Sequence, residues 1–322
     1  MPRRGCLGSS FPLIIGVLVI VLALFVISFI SGPLGSSLLG DLGLPSWIKV
    51  SQPEPKLPAE AVTHVFGWPI TNSMIGAWIS MVVLVVISIA ATRKMKLIPS
   101  GLQNFIEYAL NSLLNFCQSV AGEKNGRRFF PVVATIFLFV ITNAWLSLIP
   151  GFGSILVIER GHEEIHLLRG ANTDINMPLA LAIVSFVAIE YFGIRSLGGF
   201  RYLKKFVNVS QLGSGLGLLF RGKVKAAFGK LLFGGIDIFV GALEALSEVV
   251  RVVSFTFRLF GNMTAGEILL LIASFLVPWI FALPFYGLEI LVGFVQALIF
   301  GGLTLVFLTM AVASHDEHSE EH

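Results

Sequence analysis

Charge is what this sequence has least of: Lys, Arg, Asp and Glu make up 13% of its 322 residues, while 55% are hydrophobic and the mean hydropathy is +0.87. Such a composition excludes an ordinary water-soluble domain and places the chain in a bilayer. Cysteine is nearly absent. Cys6 and Cys117 stand far apart without metal-ligand spacing, which argues against a disulfide framework or a zinc site and leaves both as packing residues. No phosphate-binding Gly-rich loop, dinucleotide-binding turn or Ser/His/Asp arrangement stands out, so any nucleotide chemistry belongs to a partner. No cofactor and no nucleic acid is expected. The net charge of +3 says little, because in a membrane protein the placement of charges decides orientation.

What is present is a series of apolar runs that predicts an all-α integral membrane protein with about six hydrophobic helical segments. Residues 11–30 form one behind Arg3 and Arg4. This run exceeds the roughly 7 to 15 residues of a secretory signal core and lacks an Ala-x-Ala-like exit, so it reads as a retained span. Residues 31–71, rich in Gly, Pro and Ser, predict a loop outside the membrane. A second span is expected from Thr71 to Ala91, then an amphipathic surface helix over 100–121, a charged turn from Glu123 to Arg128 and a third span from Phe129 to Ile149. A polar excursion over 151–177 contains His162 and His166. Their spacing of four could hold a metal, but a solvated loop is the better reading. The fourth span runs from Pro178 to about Ile194, and residues 206–230, Gly-rich and basic, read as a surface segment.

Sidedness follows from the basic residues. With the N-terminus inside, sixteen of the 22 Lys and Arg fall on inner segments, among them Arg3, Arg93, Arg128, Lys204 and Lys230, against Lys49, Lys56, Arg160 and Arg169 outside. Arg251 and Arg258 are left over, and both lie within apolar sequence. No Pro occurs from Gly235 to Val277 and no Gly between Gly241 and Gly261, so nothing ends a helix around them. A helix over that stretch is about 64 Å long, roughly twice the hydrocarbon thickness, so it either leans far from the bilayer normal or breaks at Arg251 to Arg258 into two spans, and the missing turn signals favour the lean. Pro278 and Pro284 bracket a turn, and residues 286–313 form a second long helix returning beside the first. The acidic tail from His315 to His322 is expected to be solvated and inside. Three regions result: residues 1–60 with the first span and an outer loop, the membrane domain 61–314, and the tail 315–322.

Polar residues inside the spans carry the functional argument. An arginine at mid-bilayer costs about 2.5 to 3.5 kcal/mol, so Arg258 needs a partner. Glu267, nine residues on, lies on the opposite side of the helix about 13 Å along the axis, which points to a partner on another helix or chain. Glu244, Glu248, Arg251, Phe255 and Arg258 are spaced 4, 3, 4 and 3 and line one face. The first three could equally be a salt-bridge set at the interface. Ser254 and Asn262 flank Arg258 at four residues on either side, and on the returning helix Glu289 and Gln296 share a face. Carboxylates such as Glu267 and Glu289 in apolar surroundings suit groups that pass protons. Asn172, Asp174 and Asn176 could belong to the same chemistry or simply cap the fourth span.

The segment Arg258-Leu-Phe-Gly-Asn-Met-Thr-Ala-Gly-Glu267, followed by Gln296-Ala-Leu-Ile-Phe300, resembles subunit a of F-type ATP synthases, and the likeness covers about residues 60–314, including Asn172-Thr-Asp-Ile-Asn-Met-Pro-Leu-Ala-Leu-Ala182. The resemblance implies the stator half of a rotary proton channel in a bacterial inner membrane, with the last two helices forming a hairpin against a c-ring. It implies that Arg258 faces the ring carboxylates and separates two half-channels. Glu267, Glu289 and Gln296 match the family's polar positions. Ser254 and Asn262 match the inner half-channel, and Asn172 and Asp174 lie where the outer one opens. The implied partners are the c-ring, the b subunits of a peripheral stalk, the rest of the complex and lipid. A secondary transporter using the arginine to bind an anion is the rival reading, but such transporters show internal repeats with paired broken helices, and no second copy of the arginine segment occurs.

Overall fold

In a computed structural model of the chain, described at residues 11–40, 58–158, 164–199, 202, 206, 214, 218, 224–277 and 282–313, the apolar runs are helices. Helix α1 (Phe11–Ser31) leaves most side chains from Ile15 to Ile27 exposed, as a lipid-facing helix does. Residues 31–71, expected as a loop, contain a short helix α2 (Pro33–Leu39) and an antiparallel hairpin of β1 (Ala61–Val65) and β2 (Trp68–Thr71). The hairpin leads straight into α3 (Asn72–Thr92), whose first turn Thr71 caps by accepting a hydrogen bond from the Met74 amide. Residues 41–57, the tail 314–322, His162 and the Pro278 turn lie outside the described residues.

Helix α4 (Leu102–Ser147) is bent at Gly122, whose φ of 76° and ψ of 164° only glycine adopts without strain. Gly126 lies against the backbone of Cys117 and Gln118, so the two limbs meet in a tight V. The expected turn at Glu123–Arg128 is therefore helical, and the break is one residue earlier. Charge does not stop a helix when the charges pair: Arg127 and Glu123 bond across one turn at 3.4 Å. After a hairpin of β3 (Leu156–Ile158) and β4 (Glu164–His166) and a 3₁₀ turn at Ala171–Thr173, α5 spans Asn176–Leu197. Pro178 falls in its first turn, where no backbone donor is needed.

Helix α6 (Val224–Leu276) is 53 residues long and α7 (Leu283–Ala313) is 31. The segment expected at the surface up to residue 230 thus enters α6 at Val224, because its lysines are good helix formers and no Pro intervenes. Pro284 likewise starts α7 instead of marking the turn. At 1.5 Å per residue α6 is about 80 Å long without a break, so it crosses a bilayer obliquely. α7 returns antiparallel: Arg251 meets Phe307, Phe255 meets Phe300, Asn262 meets Gln296 and Gly266 meets Glu289. Five of the described helices, α3 to α7, are long and apolar enough to cross a membrane.

The core sits between the second limb of α4 and helices α5, α6 and α7, where Val140, Ala144, Ala182, Leu259, Ala297 and Phe300 interdigitate. A second cluster of Cys117, Phe129, Val133, Ile189 and Leu305 fills the inside of the V. Lipid is as apolar as these side chains, so close packing and interhelical hydrogen bonds carry the assembly. Ser185 and Thr304 bond at 2.8 Å between α5 and α7, and the Trp145 indole donates to the Ile290 carbonyl at 3.1 Å.

Near the start of α3, that helix meets the 3₁₀ turn so closely that the Arg169 carbonyl rests on Gly76. A side chain there would displace backbone. Gly76→Val is expected to destabilise by about 1 to 3 kcal/mol through overpacking, seen as a lower thermal midpoint of the purified protein in detergent. Gly16→Ala, at a site with open space around it, is expected to leave that midpoint unchanged.

Candidate functional site

The polar residues of the spans gather in three places along α6 and α7. The outermost is a cavity of about 520 Å³ whose wall includes Asn72, Asn143, Arg169, Asn172, Glu267 and Glu289. The chain builds its floor by hydrogen bonds between segments distant in sequence. Asn72 accepts from the Glu60 amide at 3.3 Å and donates to the His166 carbonyl at 3.2 Å. Asn143 of α4 accepts from the Ala171 amide at 3.0 Å, and Asn172 donates to the Val140 carbonyl at 3.3 Å. These bonds dock the 3₁₀ turn on α4 and carry Arg169 and Asn172 to the cavity.

Two carboxylates from different helices meet there. Glu267 of α6 is bonded to Arg169 at 3.2 Å, its side chain 40% exposed against 10% for the arginine. Glu289 of α7 is buried and rests on Gly266, where any side chain larger than hydrogen would collide with it. Asp174 lies behind the cavity wall: it accepts from Ser73 Oγ at 2.6 Å and from the Asn176 amide at 3.2 Å, bracing the turn that leads into α5. Asn176 donates its side chain to the same carboxylate at 3.1 Å and is exposed. His166 bonds the Gly153 carbonyl through Nδ1 at 2.6 Å. Among the described residues no group of three His, Cys, Asp or Glu could hold a metal ion.

The middle place is the margin of α6. Arg258, Ser254 and Asn262 are all exposed there, among the exposed apolar side chains of Val250, Val253 and Phe257. Among the described residues no carboxylate pairs with Arg258. Asn262 donates to Gln296 Oε1 at 2.8 Å, while Gln296 itself is buried and its Nε2 has no partner among the described residues. The face predicted from 244 to 258 therefore divides. Phe255 and Leu259 fill the core, and Arg258, one residue and 100° away from Leu259, is left at its edge.

The innermost place holds Glu248, Arg251, Glu190 and Tyr202. Arg251 donates to Glu248 at 2.6 Å and stacks on Phe307 with its guanidinium carbon 3.9 Å from the ring centre. The salt-bridge reading of this pair thus holds, and Glu244 sits half-buried one turn before it. Burial pushes the Tyr202 phenol up, and its hydrogen bond to the Glu190 carboxylate adds to the effect. Arg169, Glu190 and Tyr202 escaped the sequence reading. Arg169 looked like one more outer charge, although it stands directly before the Gly-Ala-Asn-Thr-Asp run that the turn presents.

A bundle of this kind, with ionisable side chains lodged inside apolar helices, defines a multi-pass α-helical membrane protein. The family model described as ATP synthase A chain matches residues 74–309. ATP synthase subunit a of Gloeobacter violaceus is 32% identical over 247 residues, covering 77% of this chain and 86% of that protein. Its counterpart in Trichlorobacter lovleyi is 32% identical over 237 residues, with 74% and 85% covered, and that of Helicobacter pylori 30% over 240, with 74% and 89% covered. The chain belongs to the ATP synthase subunit a family and is a membrane subunit of that complex.

Asn143 and Ala171 are both buried, so removing the acceptor strands an amide. Asn143→Leu is expected to cost about 1 to 3 kcal/mol, measured by thermal denaturation of the purified protein.

Proposed function

We propose that this chain is the stator half of the rotary proton channel of an F-type ATP synthase, with Arg258 between two offset half-channels. The observation that carries the reading is the placement of Arg258. It projects from an apolar helix face, and its own chain offers no acid among the described residues. A guanidinium stays protonated, so in lipid its counter-charge comes from a neighbouring molecule. A carboxylate on a ring of c subunits turning past α6 and α7 supplies it.

In this mechanism the outer cavity is the entrance. A proton passes from outside, by Asn172, Glu267 and Glu289, to a c-ring carboxylate, which becomes neutral and moves into lipid. After nearly a full turn that acid reaches Ser254 and Asn262 and releases its proton to the inner side, along Glu244 and Glu248. The bare carboxylate is then drawn to Arg258, which holds the site ionised and blocks direct passage between the two sides. Gln296 and Asn262 bridge α6 and α7 beside the crossing point, and Asp174 and Asn176 hold the wall of the entrance. The driving force is about 2.3 kcal/mol per charge per 100 mV. Residues 61–314 are the working unit, seated in a bacterial inner membrane beside the c-ring and the b subunits of the peripheral stalk. ATP is made on other subunits.

Arg258→Ala is expected to abolish ATP-driven acidification of inverted membrane vesicles while the complex still assembles; ordinary pumping in that variant overturns the assignment. Glu267→Gln is expected to lower the flux by about a hundredfold or more, the usual range for a lost proton-transfer group, with the amount of complex unchanged. Loss of the complex from the membrane instead marks Glu267 as structural.

A further inference from the structure

The outer cavity contains a cation that the mechanism above does not use. Arg169 is 10% exposed, and its guanidinium reaches three separate segments. Nη2 donates to Glu267 Oε2 at 3.2 Å, Nε to Thr173 Oγ1 at 3.2 Å and Nη1 to the Pro58 carbonyl at 3.0 Å. A planar fork with fixed donors, held from three directions, has little freedom to follow a moving partner. Its backbone is pinned as well, by the contact of its carbonyl with Gly76.

The two carboxylates of the cavity are therefore unequal. Glu267 sits in a charge-assisted bond with a fixed cation. Glu289, buried at 7% exposure, has no ion pair among the described residues. The Glu267 side chain is thereby held in place by a partner from another segment, a constraint that Glu289 does not share among the described residues.

We infer that Arg169 is a positioning residue of the outer proton path: its three-way anchorage fixes the Glu267 side chain in the cavity wall, at the place from which the proton passes on to Glu289. The inference rests on the reading of this cavity as the outer half-channel. Arg169 acts through Glu267 and touches no transported proton. Because the same guanidinium binds the Pro58 carbonyl, the segment ahead of β1 is tied to the geometry of the path.

A double-mutant cycle on the assembled complex tests this, with ATP-driven acidification of inverted vesicles expressed per complex present. Arg169→Gln is expected to lower the rate about fivefold, and to lower it no further when Glu267→Gln is already in place, since coupled residues are not additive. Arg169→Lys, which keeps the charge but not the fork, is expected to recover about half of the rate. A purely structural arginine changes the amount of complex but not the rate of each one, and that result overturns the inference. Equal effects of Arg169→Gln with and without Glu267→Gln overturn it as well. Should Arg169→Gln not accumulate, the lysine variant decides: a reduced rate that vanishes as a separate effect in Glu267→Gln supports the coupling, and a parental rate ends it. If Glu267→Gln alone leaves the rate intact, the half-channel reading falls. If it lowers the rate while Arg169→Gln does not, only the role of Arg169 falls.

Discussion

A charge inside an apolar bundle must be matched, and the way each one is matched organises this molecule. Near the outer end Arg169 and Glu267 answer each other at 3.2 Å, and near the inner end Arg251 and Glu248 do so at 2.6 Å. Both pairs are closed within the chain. Between them Arg258 has no such partner among the described residues, and it is also the one of the three arginines on an exposed face. Ion pairs of this kind are weak evidence of stability, because desolvation and solvent screening offset much of the attraction. Their value here is geometric: each fixes one end of the α6 and α7 hairpin and leaves the centre for an outside charge.

The remaining architecture follows from holding that hairpin at a constant height. α6 is too long to stand upright in a bilayer, so its slope sets where Glu248, Arg258 and Glu267 fall in depth. α7 is packed against α4 through Ala144 and Ala297 and bonded to it through Trp145, which stops it sliding along α6. The bend at Gly122 lets one apolar element support both a peripheral limb and a central one. The 3₁₀ turn is docked on α4 by Asn143 and Asn172, which satisfy the Ala171 amide and the Val140 carbonyl.

Much of this was legible in the residues. The spans, the unbroken helix around Arg258 and the antiparallel return were readable because apolar length, missing Pro and missing Gly act locally. The polar positions 254, 258, 262, 267, 289 and 296 stood out because polar groups in apolar runs are costly. Less was legible where a local rule met a tertiary one. Glu123–Arg128 has the composition of a turn, yet Gly122 alone makes the break and the charges pair along the helix. Asp174 read equally well as a path residue and as a cap, and its bonds to Ser73 and Asn176 engage it in the turn ahead of α5.

By itself the sequence determined the class, the succession of apolar segments and the residues that pay an energetic penalty for their surroundings, since hydropathy and helix periodicity need no knowledge of neighbours. Tertiary structure alone decided which penalties are relieved inside the chain. Glu267 lies 98 residues from Arg169, and Glu289 meets Gly266 only because α7 folds back on α6. Pairing across such distances depends on how helices cross, and crossing is set by the sum of many side-chain contacts that no single stretch of sequence contains.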